Sequence, residues 1–166
     1  MAETSGRGRH VAGALNTDIG VVRCFGGDDI REAGMVRGWA APEDAHSWND
    51  GPEAVLVLAA DRPDFPCALV VEGAPLIVPA RQRQDATLYV NGLRLGFWRL
   101  TEARTTQLEV LVEPSHWLAR GDAGVLTLAW HLPDSLRLSS IEAAGDDREL
   151  GFCFRTLALF PAPHER

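Results

Sequence analysis

Two groups of side chains in this 166-residue chain could do chemistry. The first gathers around Trp48, where Trp39, Glu43, Asp44, His46, Asn49 and Asp50 crowd into one short stretch. A flat indole offers a face on which the CH side of a pyranose packs and buries apolar area. Carboxylates beside it would accept charge-assisted hydrogen bonds from sugar hydroxyls. The second group is Asp146-Asp147-Arg148, just before the last apolar run. A guanidinium there could meet a sugar phosphate through its planar fork of donors. Each group also has a purely structural reading. Asp and Asn side chains make local turns in solvated loops, and Arg148 could lock a loop by pairing with Asp147 or Glu43. The loop acids could also hold Ca²⁺, which takes six to eight oxygen ligands, although no EF-hand or repeat calcium spacing is present.

Other chemistries find less support. No Ser or Cys sits in a GxSxG-type elbow. His46, His116 and His131 lack the HxH and HExxH spacings of common metal sites, and there is no Gly-rich phosphate loop. Cys24, Cys67 and Cys153 are odd in number, far apart, and without zinc-ligand spacing. Free thiols point to a reducing, cytoplasmic compartment. An enzyme is therefore the lesser expectation, and no cofactor is called for.

The elements that must position these residues read as strands. Val21–Phe25, Gly34–Trp39, Ala54–Ala60, Cys67–Glu72, Ala86–Val90, Leu93–Trp98, Gln107–Val112, Gly124–Trp130 and Leu150–Phe160 are short β-type runs between turn signals. Asn91-Gly92 joins two of them, and both residues accept the positive φ of a type I′ hairpin turn. Glu113–Leu118 could form one helical turn, with Pro114 early in it. No stretch keeps a 3.6-residue period, which argues against βαβ units. Alternation buries Leu108, Val110 and Val112 together. Both faces of the last strand are apolar, so it belongs in the middle of a sheet. Trp98 and Trp130 read as core, Trp117 as core or surface, and Trp39 and Trp48 as the two open to a ligand.

The net charge is −7, all of the cations are Arg, and residues 28–64 carry −6 of that total. Phosphate backbones and anionic membranes need clustered cations, so nucleic acid is not an expected partner. No apolar run approaches the length of a membrane helix, so membrane insertion is not expected. The first twenty residues lack a charged start followed by an apolar stretch, so no secretory leader is expected.

Three stretches carry a resemblance to a known family. They are Gly38-Trp39-Ala40-Ala41-Pro42-Glu43 followed by Ser47-Trp48-Asn49-Asp50-Gly51 and Ala54–Leu58; Gln84–Val90 with Asn91-Gly92; and Asp146-Asp147-Arg148-Glu149-Leu150-Gly151 leading into Phe152–Leu159. Their order resembles a carbohydrate-binding-module-like β-sandwich found beside bacterial glycosyltransferases in surface-polysaccharide clusters. Ala40 stands where that family carries a small polar residue. The resemblance spans roughly residues 35–160 and implies a jelly-roll sandwich.

The expectation is thus an all-β chain: an antiparallel two-sheet β-sandwich of jelly-roll type, with eight to nine strands and at most one short helix. Residues 1–18 are expected as a loose tail or strap, and 19–162 as a single domain. The function expected is non-catalytic binding of a glycan or sugar-bearing intermediate through Trp39, Glu43, His46, Trp48, Asp50 and Arg148. The alternatives are a module that docks on a glycosyltransferase or forms a homo-oligomer, and a sugar-modifying enzyme on a jelly roll.

Overall fold

The computed structural model describes residues 11–27, 34–120, 124–141 and 145–163. Asp28, Asp29 and Glu32 of the acidic stretch, and residues 1–10 of the expected tail, lie outside the described residues.

The strands are β1 (Leu15–Asn16), β2 (Arg23–Cys24), β3 (Met35–Arg37), β4 (Ser47–Trp48), β5 (Glu53–Ala59), β6 (Cys67–Pro75) and β7 (Gln84–Val90). They continue with β8 (Leu93–Leu100), β9 (Thr106–Val112), β10 (Val125–His131), β11 (Leu136–Arg137), β12 (Glu149–Leu150) and β13 (Phe152–Pro161). A single α-helical turn, α1 (Pro114–Trp117), follows β9. Seven strands have seven residues or more. The count exceeds the expected eight to nine because β1, β4, β11 and β12 are two-residue pairings, too short to leave a period in the sequence.

Two sheets form the sandwich. The first runs β1-β5-β10-β7-β8, with β3 also on β5. The second runs β2-β13-β6-β9, with β4 also on β13. The pairings are antiparallel except that of β1, which lies parallel to β5 through Leu15 and Asn16. Alternation builds the layer between the sheets. Leu56, Leu58, Leu88 and Leu128 come from the first sheet, and Leu69, Val71, Leu108, Phe154 and Leu157 from the second. Leu108, Val110 and Val112 are all buried while Glu109 and Leu111 are exposed, as alternation requires. The last strand lies inside its sheet, between β6 on one side and β2 and β4 on the other.

The Asn91-Gly92 turn has φ of 48° and 84°, the two positive values of the I′ hairpin. The Asn91 amide side chain also donates to the carbonyls of His116 and Val125 and accepts from the Thr127 N–H. α1 is capped by Glu113 and His116, each reaching the other's backbone N–H. Its Trp117 is fully buried and donates its indole N–H to the Ala60 carbonyl at 3.1 Å. Among the described residues no helix is long and apolar enough to cross a membrane.

Candidate functional site

β4 presents the site. Ser47 and Asn49 are fully buried, so alternation turns Trp48 between them to the outer face. There it pairs with Cys153 of β13 and is half-buried. Both inward neighbours are anchored. Ser47 donates its hydroxyl to the Phe25 carbonyl. The Asn49 Oδ1 accepts from the N–H groups of Gly151 (2.9 Å) and Phe152 (2.8 Å), while its amide donates to the Gly51 carbonyl (2.8 Å) and Ser135 Oγ (2.9 Å). Trp48 therefore stands on a strand fixed from beneath.

His46 meets Trp48 edge-on, with ring centroids 6.3 Å apart and planes at 90°. The His46 Nε2 lies 2.8 Å from Glu43 Oε2, and the other Glu43 oxygen takes the Arg148 Nη1 at 3.2 Å. Arg148 is held on its other side by Asp146, with Nε on Oδ1 at 3.0 Å and Nη2 on Oδ2 at 2.8 Å. The guanidinium holds the Asp146 carboxyl at about 2, well below its ordinary 3.8, chiefly through this side-chain hydrogen bond and then through the Arg148 N–H. Asp146 raises Arg148 in turn. The result is a string of paired side chains from His46 to Asp146, joining the loop before β4 to the segment before β12. Its side chains stay open to solvent: His46 is 27%, Glu43 43% and Arg148 36% exposed.

Four of the six sequence-derived site residues, Glu43, His46, Trp48 and Arg148, thus come together. Asp50 lies at the edge of this region, where its Oδ1 accepts the Glu149 N–H at 2.9 Å. Trp39 goes elsewhere. Gly38, at φ 76°, turns the chain, and the indole enters the aromatic core, stacked on Phe25 at 5.6 Å and edge-on to Phe154 at 4.9 Å. Its N–H donates to the Val55 carbonyl at 2.8 Å. Of the Arg148 partners weighed from sequence, Glu43 is present; Asp146 replaces Asp147, whose backbone carbonyl instead accepts from Arg137.

What the cluster can do follows from its atoms. It offers an indole, carboxylate acceptors and guanidinium donors, already oriented by one another. Its acids are engaged by cations, and among the described residues no three His, Cys, Asp or Glu come together as a metal shell. Burial pushes the thiols of Cys67 and Cys153 up, away from the thiolate a nucleophile needs.

Sequence reading missed Asn49 as the anchor of β4. It also missed the outward residues of β5, β7 and β10, among them Tyr89 and His131, which line a groove on the first sheet. Period-two parity within each strand is the signal that would have exposed that face.

No family model matches this sequence, and no curated protein matches it. Solved structures do share its shape. The CBM36-1 domain of a multidomain xylanase from the hindgut metagenome of Trinervitermes trinervoides matches at a TM-score of 0.51 and 10% identity, over 87% of this chain and 98% of that one. The mosquito-larvicidal Cry4Aa toxin from Bacillus thuringiensis matches at 0.50 and 6% identity, over 91% of this chain and 25% of the toxin. A GH26-CBM35 β-(1,4)-mannanase from Podospora anserina gives 0.49 and 9% identity, over 88% and 28%. The first two matches establish the β-sandwich fold and nothing about a ligand.

Proposed function

We propose that this β-sandwich is a non-catalytic carbohydrate-binding domain, taking its ligand against Trp48 with hydrogen bonds from Glu43, His46, Arg148 and Asp50. The observation that carries the reading is the half-buried Trp48 flanked by a preorganised string of donors and acceptors. The indole would stack on a sugar ring. The charged groups would bond its hydroxyls without first being ordered, which removes part of the entropic cost of binding. Trp39 has no part, because its ring and N–H serve the core.

The setting we propose is bacterial surface-polysaccharide assembly on the cytoplasmic side, with the domain acting beside a glycosyltransferase. The three stretches that resemble such modules support this.

A glycan array probed with the parent and with Trp48→Ala tests the reading. Binding to one glycan class by the parent, reduced at least tenfold in the variant, is the expected result. Equal binding by both would move the site away from β4. No binding by either would favour a protein-docking or self-associating module, which light scattering would then register as an oligomer.

A further inference from the structure

The outer face of the first sheet carries a hollow that the β4 cluster does not explain. One row of residues crosses four adjacent strands in register. Arg37 of β3 lies opposite Val55 of β5, Val55 opposite Ala129 of β10, and Ala129 opposite Tyr89 of β7. The row reads large, small, small, large. At about 4.8 Å per strand the two large ends stand roughly 14 Å apart. The small residues between them leave a groove of about 360 Å³, at the lower end of ligand-site volumes. Its floor is apolar, with Val55 4% exposed although it points away from the core. Tyr89, the chain's single tyrosine, forms one wall and is half-buried.

The rim sets the ligand's charge. Arg37 Nη2 donates to Glu53 Oε1 at 2.7 Å, with the two side chains 65% and 44% exposed. The next cross-strand pair, Glu53 opposite His131, sets an imidazole beside that carboxylate, and the Thr127 hydroxyl lies on the other side of the row. A free anion entering the groove would meet Glu53, and a free cation would meet Arg37. A neutral ligand rich in hydroxyls would find both a donor and an acceptor, with an aromatic wall for its CH face.

We infer that this groove is a second binding site, separate from β4, for a neutral sugar of one or two pyranose rings stacked on Tyr89. The claim rests on the groove's own residues and survives if the β4 reading fails.

The test is amide chemical-shift mapping of the full chain titrated with xylotriose, cellotriose, mannotriose and maltotriose, and with glucuronic acid as the charged control. At least one neutral trisaccharide should give saturable shifts at Tyr89, Thr127 and Ala129. Those shifts should persist in Trp48→Ala. They should vanish in Tyr89→Ala and in Ala129→Trp, which fills the groove from its floor without entering the core. Glucuronic acid should move these amides at least fivefold less at equal concentration. No saturable shift at these amides with any of the four trisaccharides overturns the inference, as do shifts unchanged in both groove variants or a stronger response to the acid. Shifts near Trp48 with none in the groove would sink this site and leave the β4 site standing; the reverse pattern would do the opposite.

Discussion

The buried carboxamide of Asn49 ties the turn after β4 to the start of β13 through Gly51, Ser135, Gly151 and Phe152. Truncating it would strand several buried backbone groups, each costing about 1–3 kcal/mol. Asn49→Ala should therefore lower stability by roughly 3 kcal/mol, about 6–12 °C in Tm for a domain of this size. A calorimetric melt checks this, and a loss below about 1 kcal/mol would mean that water replaces the amide. Two buried tryptophans make a paired comparison. Trp117 bonds the Ala60 carbonyl, whereas the Trp130 N–H has no partner among the described residues. Both are fully buried. Replacing each by Phe removes similar bulk, so Trp117→Phe should cost about 1 kcal/mol more than Trp130→Phe in urea unfolding. Equal losses would show that the indole bond to Ala60 contributes nothing.

Between elements, the string from His46 to Asp146 joins the loop before β4 to the segment before β12. The Asp146 carboxyl is depressed from 3.8 to about 2 by Arg148. A depressed carboxyl contributes stability above its unfolded value and loses it as pH falls through the folded one. The urea midpoint of the parent should thus exceed that of Arg148→Gln from neutral pH down to about 4, and the gap should close by about pH 2. A gap that does not change with pH would separate Arg148 from Asp146. The turn before Trp39 gives a second contrast. Gly38 has φ 76° and a Cβ there would run into the Glu53 carbonyl, whereas Gly51 has φ 111° with open space around it. Gly38→Ala should cost several kcal/mol and Gly51→Ala about 1, with thermal melts as the readout. Gly38 is also where the sequence stops being legible. The long strands, the Asn91-Gly92 hairpin and the capped turn at α1 could all be read, because each carries its own period or turn chemistry. Trp39 could not be placed, because its burial depends on which way a positive-φ glycine sends the chain. β1 and β4 were missed because pairings of two residues are chosen by the neighbouring strand, whereas β2 and β3 lie inside the expected runs Val21–Phe25 and Gly34–Trp39. The members of the β4 cluster were legible as chemistry, but the Arg148–Asp146–Glu43 geometry joins positions 105 residues apart.

At the scale of the whole molecule, the two proposed binding surfaces lie apart on the sandwich. One is the β4 rim on the second sheet, and the other is the groove over β3, β5, β10 and β7 on the first. Aromatic rings stand at both, Trp48 at the rim and Tyr89 in the groove. The fold places them on opposite sheets, so each can be altered alone. The most direct measurement is a thermal-shift titration of the parent and of Trp48→Ala with mono- and oligosaccharides, nucleotide sugars and Ca²⁺. At ten times Kd, a ligand of the native state adds about 1.4 kcal/mol, roughly 3–5 °C here. The expected result is a saturable rise of that size with one sugar class, diminished in Trp48→Ala. A flat response of the parent to every sugar at millimolar concentration would contradict it.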